Sequence, residues 1–283
     1  MTARTVRVLS LGGGTQSSAL ALMAARGEVG PMPDVAIFAD TGAEPPGVYE
    51  TVDWLARSLP FPVETVSAGD LESDLRAGVN STGQRFAPIP VFHRGVDGGG
   101  PGMSRRQCTR EYKIAPIERR ARALAGAGRG ERLPAGAEVE QWIGLSWDEI
   151  HRCRANTRHG FETRWPLIEL RLKRADVIDW WDRNAPASAP PLSRSACYFC
   201  PLHSAAGWAS LQRAHPDLIE RAAGLEAGLV FAPGGTRPGD DRPVYLHRRR
   251  VPLRDALALD AAETDAQLSL FDDEGCDGGA CFL

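Results

Sequence analysis

The chain predicts an α/β fold: a doubly wound, mostly parallel sheet of Rossmann-like type, with a helical, cysteine-bearing extension at its C-terminal side. Three observations carry that prediction. Short apolar strand-like runs alternate with helical segments from residue 6 to residue 66. A cluster of three glycines joins the first strand to the first helix. The 283 residues, 43% hydrophobic and 24% charged, suffice for one large α/β domain plus an extension.

The elements follow in order. Val6–Ser10 reads as a strand entering the glycine turn, and Ser17–Arg26 as a helix stopped by Gly27. Asp34–Ala39 is a second strand, closed by Asp40-Thr41-Gly42. Pro46–Leu59 is helical with an apolar face at Trp54 and Leu55, and Phe61–Val66 is a third strand. Strand, helix, strand, helix, strand at this spacing points to parallel βαβ units. Residues 81 to 104 are irregular and glycine-rich, and read as a mobile loop over the site. Beyond it come a basic helix at Ile114–Ala125 and a strand at Val139–Leu145. Helices follow at Asp176–Asn184, Ala205–Ala214 and Pro216–Leu225, the last with proline in its first turn. The expected division is an α/β domain at 1–170, a helical extension carrying the Cys-x-x-Cys pair at 171–255 and a flexible tail at 256–283.

Composition narrows the function classes. A net charge of −3 argues against a strongly basic nucleic-acid binder but leaves room for a local basic patch. No apolar run approaches the roughly 20 residues that span a bilayer. The N-terminal residues lack the apolar stretch of a secretory signal. The expectation is a cytoplasmic protein with no membrane partner. In that compartment the six cysteines read as metal or redox groups rather than as a disulfide frame.

Ser10-Leu11-Gly12-Gly13-Gly14-Thr15-Gln16-Ser17-Ser18 is the candidate phosphate loop. Consecutive glycines turn the backbone sharply and leave bare N–H groups facing an anion, while the next helix adds its positive end and the hydroxyls of Ser17 and Ser18. The spacing is neither that of a Walker loop nor that of a dinucleotide fingerprint. Taken alone, the glycines also suit a plain turn closing a βα unit.

Cys197 and Cys200 form a Cys-x-x-Cys pair before Pro201, a pattern shared by zinc, iron–sulfur and dithiol sites. Cys108 lies among Arg105, Arg106, Arg110 and Lys113, a setting that favours thiolate. Three soft donors from two segments suggest a [4Fe–4S] cluster, with zinc as the alternative metal and buried, metal-free cysteines as the plain alternative. Cys276 and Cys281 sit in the glycine-rich tail, and Cys153 receives no role. Arg152 and Arg154, past a strand end, are candidate anion ligands. Asp148 and Glu149 suit a metal or a substrate hydroxyl, and equally the acid preference of a helix start. His247-Arg248-Arg249-Arg250 reads as a surface basic cluster.

The loop resembles the pyrophosphate loop of the adenine nucleotide alpha-hydrolase superfamily, Ser-Gly-Gly-x-Asp-Ser, with Gly12 at the usual Ser and Gln16 at the usual Asp. Phe38-Ala39-Asp40-Thr41-Gly42 is similar to the Asp-Thr-Gly segment of phosphoadenosine phosphosulfate (PAPS) reductases. Cys108-Thr109-Arg110-Glu111-Tyr112-Lys113 resembles the Cys-Thr-x-x-x-Lys segment of PAPS-reductase-like proteins, the branch that includes phage-encoded members and DNA-phosphorothioation ATPases. Ile143-Gly144-Leu145-Ser146-Trp147-Asp148-Glu149 with Arg152, and Cys197-Tyr198-Phe199-Cys200-Pro201 with Trp208, match the same branch. The resemblance spans roughly residues 5 to 225.

That resemblance implies ATP or PAPS, with Mg2+, on Ser10, Gly12, Gly13, Gly14, Thr15, Gln16, Ser17 and Ser18. Asp40, Thr41 and Gly144 would lie against the nucleotide. It implies ATP cleavage between the α- and β-phosphates to adenylate a nucleic-acid or small-molecule acceptor, for sulfur transfer from a donor protein. Lys113, Arg152, Cys276 and Cys281 are the implied catalytic residues, and Cys108, Cys197 and Cys200 the cluster ligands. Val177 stands where relatives carry a further cysteine, so the fourth ligand is open among Cys276, Cys281, His203 and an exogenous group. Two other readings stand beside this one: thiol-dependent reduction of a sulfonucleotide by Cys276 or Cys281, and nucleotide or nucleic-acid binding without turnover.

Overall fold

In the computed structural model the described residues are 4–83, 89–94, 100–229 and 243–266. Five strands, β1 (Arg4–Leu11), β2 (Val35–Asp40), β3 (Val63–Ser67), β6 (Ala137–Ile143) and β7 (Phe161–Arg164), form one sheet in the order β3-β2-β1-β6-β7. Every pairing in it is parallel. The central sheet is thus all-parallel and Rossmann-like. Its order reverses direction between β1 and β6, and in such sheets a crevice opens at that point beyond the strand ends.

Alternate residues of β1 serve opposite faces. Leu9 and Leu11 join a core with α1 (Thr15–Ala25), α2 (Pro46–Ser58), Trp142, and Val177 and Trp181 of α6 (Arg174–Asn184). Val6 and Val8 face the other way, onto Ile117 and Ala121 of α4 (Ala115–Leu124). Helix α1 is buried from Thr15 through Ala24, which explains its run of small and apolar residues without a polar stripe. Trp54 and Trp181 meet edge to face at 5.9 Å, an arrangement worth roughly 0.5–1.5 kcal/mol beyond burial.

A third core lies to one side. It gathers α3 (Leu71–Ala77), Tyr112, the Cys197–Phe199 turn, and helices α7 (Ala205–Ala214), α8 (Pro216–Gly228) and α9 (Leu253–Ala266). Glu72 of α3 ties it together, accepting from Tyr198 Oη at 2.6 Å and Arg76 Nε at 2.9 Å and pairing with Arg221 of α8. Burial works against its charge, but the donors Tyr198, Arg221 and Arg76 prevail and hold the carboxyl below its ordinary range.

Several elements differ from expectation. Helix α3 lies where the sequence pattern predicts no element, although Asp70 caps it by accepting from Ser73 N at 2.6 Å and Gly78 ends it in a left-handed conformation (φ 65°). Strand β7 is likewise unpredicted; among the described residues its four residues pair with β6 alone, and a one-turn helix, α5 (Pro166–Glu169), follows it. The irregular stretch contains a ribbon of β4 (Phe92–His93) with β5 (Gly102–Met103), bridged at Phe92 to Tyr245; residues 84–88 and 95–99 lie outside the described residues. The basic helix begins early, as a π-helical turn at Thr109–Ile114. Helix α6, expected within the helical extension, packs on α1 and α2.

Residues from 256 onward are expected from sequence to be a flexible tail, yet α9 continues to Ala266 with Ala256 and Leu257 buried. Leu253, Ala256 and Leu257 recur at helical spacing, and His247, 1% exposed rather than at the surface, lies 3.1 Å from Asp260 of the same helix. Cys276 and Cys281 lie outside the described residues. Among the described residues no helix is long and apolar enough to cross a membrane.

Candidate functional site

The glycine turn sits at the C-terminal end of β1, beside the point where the strand order reverses. Gly13 has φ +69°, and a Cβ there would approach Val48 Cγ1 to 2.8 Å, so both backbone and space demand glycine. The hydroxyl of Ser17 accepts from Gly12 N–H at 3.1 Å and lies 3.3 Å from Gly14 O, bracing the turn from inside. Ser17 therefore shapes the loop. The N–H groups of Gly13 and Gly14 find no acceptor among the described residues, and α1 starts at Thr15 with no side-chain cap. Those donors sit at the positive end of an 11-residue helix. The buried hydroxyl of Ser18 also has no partner among the described residues. Below the turn, Gln141 donates to Ser10 Oγ at 2.9 Å, tying β6 to β1.

Gly144 ends β6 against this helix terminus. A Cβ at Gly144 would stand 3.0 Å from both the N and the Cα of Ser17, so only glycine lets the two backbones approach so closely. The chain then enters a 3-10 helix, Trp147–Arg152. Gln16 Nε2 donates to Glu149 Oε2 at 2.5 Å and to Ser146 Oγ at 3.0 Å. A carboxylate accepts only from the amide nitrogen, so the Gln16 Nε2 faces Glu149. Glu149 Oε1 pairs with Arg152 Nη1, while Arg152 Nη2 is buried with no partner among the described residues. Burial pushes the Glu149 carboxyl up, against the opposing pull of Arg152 and the Gln16 hydrogen bond.

The Asp40 carboxylate closes its own turn, accepting from Gly42 N–H and Tyr49 Oη, both at 2.8 Å. Burial and the Asp40 bond push the Tyr49 phenol well above its ordinary value, so it stays a donor. The Thr41 Oγ1 lies 3.5 Å from Cys197 Sγ.

Cys108, Cys197 and Cys200 line one cavity with Thr41, Arg106 and Lys113, its other walls largely apolar. The cavity thus joins two cysteine segments that lie far apart in the sequence. Soft sulfur donors against apolar walls beside cationic groups fit the chemistry of an iron–sulfur centre. No group of three or more His, Cys, Asp or Glu side chains that could hold a metal ion is assembled among the described residues. His203, raised as a fourth ligand, is buried, with Nε2 3.0 Å from the carbonyl of Cys197. Lys113 is buried and pairs with Glu44 at 2.7 Å.

Much of the basic stretch is internally neutralised. Arg110 pairs with Glu118 at 3.0 Å, and Arg120 grips Glu64 through two nitrogens at 2.5 and 2.8 Å. Arg154 donates to the carbonyls of His151 and Cys153. Asp148 accepts from Arg174 N–H at 3.1 Å, away from Gln16. Sequence reasoning gives no role to Glu44, Ser146 or Ser195. Ser195 packs on the glycine turn, its Cβ 2.9 Å from where a Cβ of Gly14 would lie. For Ser146, the short spacing from Gly144 is the one signal the sequence offers.

No protein-family model matches the chain, and no curated protein matches it.

Proposed function

We propose that the chain is a PAPS-reductase-like enzyme of the adenine nucleotide alpha-hydrolase superfamily that binds ATP and adenylates an acceptor. The observation that carries this reading is a set of donors without an acceptor among the described residues: Gly13 and Gly14 N–H at the sheet's reversal point, the uncapped start of α1, and the buried Arg152 Nη2. Anions bind such helix starts because unpaired N–H groups and the helix dipole act together.

On this reading the phosphates rest on Gly13 to Ser18. An acceptor oxygen attacks the α-phosphorus, the bond from that phosphorus to the bridging oxygen breaks, and pyrophosphate leaves with the electron pair. The acceptor's proton passes to solvent. Backbone N–H groups and Arg152 stabilise the charge that builds on the phosphate oxygens. Gln16 brings no negative charge to a magnesium ion, and both oxygens of Glu149 are engaged by Gln16 and Arg152. No step is assigned to that ion.

Cys108, Cys197 and Cys200 are the residues that would hold an iron–sulfur cluster, which when bound supplies electron storage or a sulfur-binding iron. Sulfur transfer to a nucleic acid or small molecule is the outcome that joins this cavity to the phosphate site. The test is product analysis after incubation with ATP and candidate acceptors under anaerobic conditions. Pyrophosphate with AMP or an adenylate supports the reading; ADP with inorganic phosphate contradicts it.

A further inference from the structure

We infer that Glu149 is a positioning residue of the phosphate site, a buried carboxylate that aims Arg152 at the anion and locks it to the first turn of α1 through Gln16. The inference rests on reading the glycine turn as a phosphate site.

The local fold explains the arrangement. A 3-10 helix has three residues per turn, so side chains three apart eclipse one another. Ser146, Glu149 and Arg152 stand three apart and therefore form one row. Gly144 places the start of that row against Ser17. The row then meets Gln16, whose amide donates to both Ser146 and Glu149. The two carboxylate oxygens divide the work, Oε2 receiving Gln16 and Oε1 holding Arg152.

A surface ion pair of the same spacing would be solvated and interchangeable. This one is enclosed, with side-chain exposures of 14% for Arg152 and 11% for Glu149. Glu149 occupies only one edge of the guanidinium, and Nη2 remains buried without an acceptor among the described residues. A buried charged donor left without an acceptor is costly, and a phosphate oxygen supplies the acceptor it lacks. Gln16 suits this post because it is neutral. A carboxylate at position 16 would face Glu149 at hydrogen-bond distance, with like charge.

The test uses the full-length protein and three probes, ATP, adenosine and inorganic triphosphate, each titrated by calorimetry. Glu149→Gln keeps the size of the side chain and removes the charge that holds Arg152. ATP and triphosphate affinity should fall about tenfold, on the scale of one charge-assisted contact, with adenosine affinity unchanged. Because Glu149 acts through Arg152, the double variant Glu149→Gln/Arg152→Ala should bind no more weakly than Arg152→Ala alone. Should Glu149→Gln fail to fold, Glu149→Asp retains the charge but shortens the reach, and triphosphate affinity should fall with the thermal midpoint little changed.

Unchanged triphosphate affinity in a folded Glu149 variant, additive losses in the double variant, or equal losses for ATP and adenosine would overturn the inference. The wider reading fails separately: wild-type protein that binds triphosphate but not ATP refutes the adenine-nucleotide proposal and leaves the role of Glu149 standing. Wild-type protein that binds neither removes both.

Discussion

Lys113 Nζ lies 2.7 Å from Glu44 Oε1, and both side chains are withdrawn from solvent. The contact joins the π-helical turn after Cys108 to the turn that follows β2, and so fixes one wall of the cysteine cavity. An ion pair this deep is hard to lose from one side only, because the surviving charge stays buried.

Lys113→Met should therefore destabilise the protein by about 3–5 kcal/mol, and Lys113→Met with Glu44→Gln by distinctly less. Urea unfolding followed by circular dichroism measures both. Equal losses for the single and double variants would show that the pairing is not what matters at this position.

Gly144→Ala tests the close approach of β6 to α1. Its Cβ would stand 3.0 Å from the Ser17 backbone, which has no flexible side chain to yield. Overpacking of this kind costs roughly 1–3 kcal/mol, and the displaced helix start should weaken ATP binding about tenfold. A variant with wild-type affinity and thermal midpoint would show that the backbones separate freely.

Glu72 gives stability a defined acid limb. Its folded pKa is lowered, so the unfolded chain takes up a proton first as pH falls. The contribution is full above the ordinary glutamate value near 4.3 and is lost as pH drops through the lower folded value. Glu72→Gln should reduce stability at pH 7 and flatten its decline in acid. Denaturant midpoints between pH 3 and pH 7 report it; parallel curves for the two proteins would contradict the assignment.

Anaerobic purification with iron and zinc analysis addresses the cysteine cavity. The expected result is about four irons per chain and a broad visible absorption, both lost in Cys197→Ser and Cys200→Ser. A colourless, metal-free protein with full activity would remove the cluster from the proposed chemistry.

Much of the scaffold is legible in the sequence because β1, α1, β2, α2 and β3 alternate cleanly between strand and helix patterns. Four-residue β7 carries too little pattern to be seen, and sheet order is set by long-range pairing that no local window contains. The glycine turn is readable from residue type alone. The role of Glu149 is not: an acid at a helix start reads as a dipole partner, and only the 3-10 spacing turns it toward Gln16. His247 misleads for a similar reason, since its basic neighbours suggest a surface cluster while its own side chain is buried against Asp260 of α9. Lys113 and Arg152 stand out in the sequence as charges near a site, but their buried carboxylate partners come from the fold.

Calorimetric titration of the full-length protein with ATP, repeated with Gly13→Ala, tests the central claim most directly. The predicted result is saturable one-to-one binding to the wild-type chain and a loss of about tenfold or more in the variant, because Gly13 holds φ +69° against Val48. Heats indistinguishable from dilution for the wild type, or equal affinity in both proteins, would contradict it.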